Sequence, residues 1–320
     1  NYDRTNNVVE VPLSEASGFA QLQLNGDRYR RRGIELVVSG TPVQTENFKW
    51  TTTLNYSRLR NTVLEYYGGE EIRGGVKVGE RMDIYRGWAW QKSPDGQIVH
   101  ENGIPQYINQ ETNLGYVLPN WEFGFQNSFQ YKNFGLSFAF DGRIGGKIYN
   151  GLEAKMYEGG MHPNTANSYR DDAYNGEKTY LADGVTQTGG EVSYDAQGNI
   201  TADTRTFAPN TTKVNYIDWV FAKYTNGIDE SVNYSGTFVK LREVTLTYQI
   251  PSHLLTKAPF KAASISLVGR NLALWAKVPF MDPDGYNGLT KNNSVSPQTN
   301  SIIFPDPTTR NIGSNVNLKY

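Results

Sequence analysis

The sequence predicts an all-β fold, an antiparallel transmembrane β-barrel with long loops at one end. Three observations predict it. Large apolar side chains recur at every second position over runs of about ten residues, the length a tilted strand needs to cross a bilayer. Short connections alternate with long irregular stretches, roughly 58–120, 147–237 and 276–309, whereas loops beyond about 15 residues are uncommon in compact soluble domains. Aromatic residues are abundant, at 21 Tyr, 14 Phe and 6 Trp, and gather near strand ends, where the interfacial girdles of a barrel belong.

Each element follows from period-two alternation. "GIELVVSG" (33–40) leads through a short turn to "FKWTTTLNYS" (48–57), in which Phe48, Trp50, Thr52, Leu54 and Tyr56 share one face. "WEFGFQNSFQY" (121–131) puts Trp121, Phe123, Phe125, Phe129 and Tyr131 on one face, and Glu122, Gln126, Ser128 and Gln130 on the other. After "KNFG", the run 136–144 sets Leu136, Phe138, Phe140 and Ile144 against Ser137, Asp141 and Arg143. "FVKLREVTLTYQI" (238–250) carries Val244, Leu246, Tyr248 and Ile250 on one face, then a moderate connection leads to "SISLVGRNLALW" (264–275). The closing "NVNLKY" alternates at Val316, Leu318 and Tyr320. That makes about seven strands. A soluble sandwich shows the same alternation; the loop asymmetry favours the membrane.

Composition narrows the function classes. The 320 residues have a net charge of −1 and a pI near 6.4, so no bulk charge recruits nucleic acid. Mean hydropathy is −0.57, and no apolar run approaches the roughly 20 residues of a spanning helix. Barrels escape that test, because alternate residues face water in the lumen. Cysteine is absent, which removes disulfides and thiolate metal sites. The opening "NYDRTNN" shows neither an initiator Met nor a signal pattern, so the chain is expected to be processed or a piece of something longer.

The quoted stretches resemble a known family. "FVKLREVTLTYQIP", "SISLVGRNLALWAK" and "FMDPD" are similar to the C-terminal barrel of SusC/RagA-type TonB-dependent transporters. "RRRGIELVVSGTPVQTENFKWTTTLNYS" and "LPNWEFGFQNSFQYKNFGLSFAFDGRIGGKIYN" resemble its upstream strands, in the right order along nearly the whole chain. Arg32 stands where the family favours Asn, and Ala276 where Thr is usual. The resemblance implies the C-terminal part of a large plugged barrel of 22 strands, with the plug and early strands absent and a residue or two missing after Tyr320. It implies a nutrient importer of Gram-negative outer membranes, without chemistry or cofactor of its own. Its partners would be a SusD-like surface lipoprotein that delivers glycans or peptides, and TonB acting through the plug. The alternative is a secreted all-β glycan-binding or glycosidase domain.

Site expectations follow from parity. Val244, Leu246, Ile250, Phe123 and Phe125 are expected to face lipid, and Trp50, Tyr56, Trp121, Tyr131, Tyr248 and Trp275 to form the aromatic girdle. Glu35, Lys49, Glu122, Asp141 and Arg143 have lumen parity and are candidates for the substrate path or, equally, for salt bridges that anchor a plug. Arg28, Arg30 and Arg32 read by default as a solvated strand end; if Ile34, Leu36 and Val38 face lipid, the same parity turns them outward at the extracellular rim, where lipopolysaccharide phosphates would meet them. No nucleophile–base set or metal-ligand spacing appears among His100, His162 and His253. "MDPDGYNG" (281–288) fails as an EF-hand loop, with Tyr286 and Asn293 at ligand positions, and reads as a turn. Tyr149, Tyr157, Tyr169, Tyr174, Tyr180 and Tyr194 recur in the stretch 147–237, a composition suited to partner contact.

Overall fold

A computed structural model of the chain describes residues 1–285 and 308–319. Eight of the described strands form one antiparallel sheet in which every strand pairs with the next: β1 (Tyr2–Pro12), β2 (Gln21–Gln44), β3 (Phe48–Glu65), β4 (Trp121–Tyr131), β5 (Phe134–Ile144), β6 (Phe238–Ile250), β7 (Ala262–Ala276) and β8 (Asn311–Lys319). Strand β1 is an addition to the sequence reading, and β2 starts a dozen residues earlier than the alternation suggests. Apart from a short apolar repeat, Val9 and Val11 paired with Leu24 and Leu22, charged and amide side chains dominate these added stretches. Tyr320 and the positions of Tyr286 and Asn293 lie outside the described residues.

The connections alternate in length. Residues 45–47, 132–133 and 251–261 turn the chain at one end of the sheet; residues 66–120, 145–237 and 277–310 connect strands at the other. In the two-residue turn, Lys132 adopts φ +50°, the left-handed conformation such tight hairpins demand. Asn133 then fastens this turn to its neighbour, its Nδ2 donating to the Gln249 carbonyl at 2.8 Å.

Register converts alternation into two faces. Leu36, Tyr56 and Phe123 pair across β2, β3 and β4, as do Val38, Leu54, Phe125 and Phe140 through β5. Leu136, Leu246 and Leu267 continue the pattern across β5, β6 and β7. Strand β6 carries a bulge: Phe140 pairs with Leu241 and Ala139 with Glu243, leaving Arg242 as the extra residue. A bulge inserts one residue and reverses the phase of the side chains beyond it. Val239 and Leu241 therefore share the apolar face with Val244 and Leu246, while Lys240, Arg242 and Glu243 share the polar one.

The two longest connections fold into a body of their own. Helices α1 (Gly151–Glu158), α2 (Ser168–Tyr174) and α3 (Tyr216–Val220) bring together a buried cluster of Tyr157, Ala173, Ala182, Val214, Tyr216, Trp219 and Val220. Asn150, Asn167 and Asn215 cap the three helices through their side-chain oxygens, which satisfies amide donors that a helix start leaves free. The strand Val185–Gly189 pairs in parallel with Val99–Glu101, joining one long connection to the other.

Candidate functional site

The apolar face of the sheet is uncovered. Leu246 is 48% exposed and Leu267 58%, and Ile34, Leu36, Val38, Leu54, Phe125 and Leu136 are exposed beside them. Val244, Ile250 and Phe123 lie on the same face, partly covered by their neighbours. An exposed apolar patch of this extent marks a surface meant for contact with something other than water.

Aromatic rings bound this face at both ends. Tyr131 pairs with Phe134 and Phe134 with Tyr248 at the short-turn end, where the Phe134 and Tyr248 rings lie 4.8 Å apart. At the loop end the Tyr56 and Trp121 rings are 5.9 Å apart, and Trp275 contacts Phe140 at 6.5 Å. Trp50 departs from that arrangement. It stands one row in from Tyr131, stacks on Phe129 at 5.8 Å, and donates its Nε1–H to Asn127 Oδ1 at 2.9 Å. This bond gives the buried Asn127 carbonyl on an apolar face its partner.

The polar face carries paired charges. Glu35, Ser57, Glu122 and Arg143 form one cross-strand row, with Arg143 Nε 3.1 Å from Glu122 Oε1. Asp141 lies one row further toward the short turns and accepts both arms of the Arg242 guanidinium at 2.7 Å. Grooves of about 390 and 470 Å³ open on this face; the first is lined in part by Glu35, Glu122, Asp141 and Arg143. Four of the five predicted lumen residues thus share one groove. Lys49 does not: it sits at the short-turn end, opposite Gln130 and Gln44.

Sequence reasoning missed the centre of the charge network. Arg242 also grips Asp284 with two bonds of 2.6 Å, and Lys240, only 2% exposed, bonds Asp282 at 2.6 Å. The Arg242 guanidinium beside Asp284 holds that carboxyl below its usual range. "MDPD" is therefore more than a turn: it straps the segment after β7 onto the bulge of β6. A legible signal existed, because the apolar spacing in "VKLREV" slips from two to three between Leu241 and Val244.

The rim arginines and loop tyrosines divide by environment. Arg28 pairs with Glu65 at 3.0 Å and Arg30 with Asp3 through two 2.7 Å bonds, while among the described residues Arg32 meets only the neutral Asn1 Oδ1 at 3.3 Å. Tyr157 is 5% exposed and lies face to face with Tyr224 at 3.6 Å, and Tyr180 packs edge-on to Tyr216 at 5.0 Å. These two build the loop core, and Tyr149 and Tyr194 are half-buried. Tyr174, at 88%, and Tyr169 remain at the surface. The three histidines sit apart: His100 buried in the loop sheet, His162 stacked on Tyr157 at 3.9 Å, and His253 in the 251–261 turn.

No family model matches the chain. The TonB-dependent receptor P26 of Formosa agariphila is 26% identical over 98% of this chain and 32% of its own length. The TonB-dependent receptor SusC of Bacteroides thetaiotaomicron is 22% identical over 51% of this chain and 19% of its own length. The chain is a relative of the SusC-type TonB-dependent receptors. Among solved structures, the RagAB peptide importer in its open-open state aligns over 99% of this chain and 32% of that one, with a TM-score of 0.58 and 17% identity. The fold therefore resembles the wall of a TonB-dependent transporter barrel. The chain spans about a third of the length of the P26 receptor.

Proposed function

We propose that this chain is the C-terminal part of the wall of a TonB-dependent outer-membrane importer. The observation that carries the reading is the two-faced sheet: exposed apolar rows bounded by aromatics on one side, paired charges and grooves on the other. In water the apolar face would be a liability; in a bilayer it is the surface that contacts lipid. Val244, Leu246, Ile250, Phe123 and Phe125 then face acyl chains, Tyr131, Tyr248, Tyr56, Trp121 and Trp275 stand at the interfaces, and the Glu35–Glu122–Arg143 row lines the lumen. The short connections face the periplasm and the folded loop body faces outside. Strands β1 and β8 are sheet edges, and hydrocarbon does not tolerate unpaired ladder groups, so the proposal requires further strands beside both.

By likeness to SusC and the RagAB importer, the whole protein takes up glycans or peptides, draws energy through TonB, and works with a SusD-like lipoprotein that docks on the loops. The polar face acts by shape and charge, as a conduit. The test is fractionation of the complete protein: it should enter the outer-membrane fraction, require detergent for extraction, migrate differently on gels before and after heating, and bring a surface lipoprotein with it. A soluble protein that needs no detergent would contradict the proposal.

A further inference from the structure

The apolar face ends abruptly at the loop side, and on two strands at once. Ascending β2, its residues are Val38, Leu36 and Ile34, then Arg32 and Arg30; ascending β3 they are Leu54 and Tyr56, then Arg58 and Arg60. Ile34 pairs with Arg58 and Arg32 with Arg60 without a register break, so these side chains share the face of Leu36. Five arginines, counting Arg28, meet two carboxylates. Glu65 takes Arg28 and Asp3 takes Arg30. Arg60 turns back over the rim and donates to the Pro119 carbonyl at 2.9 Å and to Asn120 Oδ1 at 3.0 Å.

Arg32 and Arg58 are left over. Among the described residues no carboxylate lies within ion-pair distance of either. They are diagonal neighbours on adjacent strands, roughly 7–8 Å apart, a gap that one phosphate group can bridge. Tyr56, which contacts Trp121, lies just below Arg58 on the same face. Resting on the membrane reading above, we propose that Arg32 and Arg58 form a clamp for the phosphate of a phosphorylated glycolipid headgroup in the outer leaflet. Arginine suits that role because its planar fork donates two parallel bonds to a phosphate. A lipid, rather than a soluble anion, is the fitting occupant because the pair continues an exposed apolar surface on which acyl chains would lie. The structure thereby sorts the rim: Arg28 and Arg30 are internal ion-pair partners, and the ligand-facing residues are Arg32 and Arg58.

The complete protein, placed in phosphatidylcholine nanodiscs doped with bis-phosphorylated lipid A, provides the test. Native mass spectrometry after mild extraction counts the retained lipid A. The wild type should retain it, and should retain an enzymatically dephosphorylated lipid A far less. The double variant R32Q/R58Q should lower retention roughly tenfold or more, the scale of charge-assisted bonds to phosphate. R28Q, which removes an arginine already engaged by Glu65, should change it less than about twofold by the same reasoning. Heat-modifiable mobility confirms that every variant is assembled. Equal retention by the double variant, equal retention of the dephosphorylated lipid, or complete displacement by inorganic phosphate would each overturn the clamp while leaving the membrane reading intact. A wild type that does not enter the bilayer would overturn both.

Discussion

An arginine at the middle of the apolar face tests the two-faced wall by its depth dependence. Strand β4 has eleven residues, counting its bounding aromatics Trp121 and Tyr131. At roughly 3.4 Å per residue and a tilt of ~45°, it climbs about 24 Å along the membrane normal, close to the ~25 Å apolar band of outer-membrane barrels. Phe125 stands about 14 Å above Tyr131 by the same rise, near the midplane, with Leu54 and Phe140 as its cross-strand neighbours. Leu246 lies one row from Tyr248, only about 5 Å inside the band. Phe125→Arg should therefore cost ~2–4 kcal/mol, and Leu246→Arg less, since the penalty falls to ~0–1 kcal/mol near the interface. The midplane cost shifts the folding equilibrium by a factor of about 30 to 700. Denaturant titration of the complete protein in lipid vesicles, read by tryptophan fluorescence and heat-modifiable mobility, measures it. Gln126→Arg, one residue away on the polar face, is the control and should be nearly neutral. If Gln126→Arg costs as much as Phe125→Arg, or Leu246→Arg costs more than either, the assignment of faces is wrong.

Other outcomes follow from the charge network and the loops. Asp282→Ala leaves the buried Lys240 ammonium with Asp284 alone, at 3.4 Å, and because this second carboxylate still compensates the charge it should cost at most ~3 kcal/mol, the low end for breaking a buried pair; hydrogen exchange over 277–285 should rise. Asp284→Asn breaks a pair that is about a third exposed on both sides, so water screening limits its cost to about 1 kcal/mol. Burial lowers the pKa of His162 from 6.5. The unfolded loop therefore binds the proton first, and stability that is complete above pH 6.5 declines as pH falls below it. Exchange protection of α1, corrected for intrinsic rates, should weaken in that window, and H162Q should flatten the response. If the loop body docks a lipoprotein, substituting the exposed Tyr174 and Met161 with Ala should reduce its co-purification, whereas Leu181→Ser on the same body serves as the polarity control; unchanged stoichiometry would place the dock elsewhere.

Sequence alternation was enough to locate β4 to β7 and the first ten residues of β3, whose last eight, 58–65, read as loop, because a strand with one uncovered apolar face has to repeat every two residues. It failed where that rule is suspended. The added length of β1 and β2 has only a short apolar repeat, Val9 and Val11 beside Leu24 and Leu22, before Arg, Asn and Gln take over, so pairing there rests largely on backbone bonds and ion pairs such as Arg30–Asp3. The bulge at Arg242 was visible as a slip in apolar spacing, yet its purpose depends on Asp282 and Asp284, some forty residues further along the chain. Loop tyrosines looked like a contact surface by composition. Tyr157 and Tyr180 instead fill the interior of a body whose tertiary packing no local pattern announces. Of the predicted lumen residues, four meet in one groove because they lie on neighbouring strands at similar height, which register, and not parity alone, determines.

The central claim is that β6 shows one face to lipid and reverses phase at Arg242. The chain contains no cysteine, so single cysteines can be placed along 238–250 of the complete protein in a background otherwise free of them, spin-labelled and reconstituted in bilayers. Accessibility to oxygen, which concentrates in hydrocarbon, should peak at 239 and 241, then at 244, 246, 248 and 250, with two consecutive low values at 242 and 243. An unbroken alternation through 242 would remove the bulge, and water-like accessibility at 244, 246 and 250 would contradict the membrane wall itself.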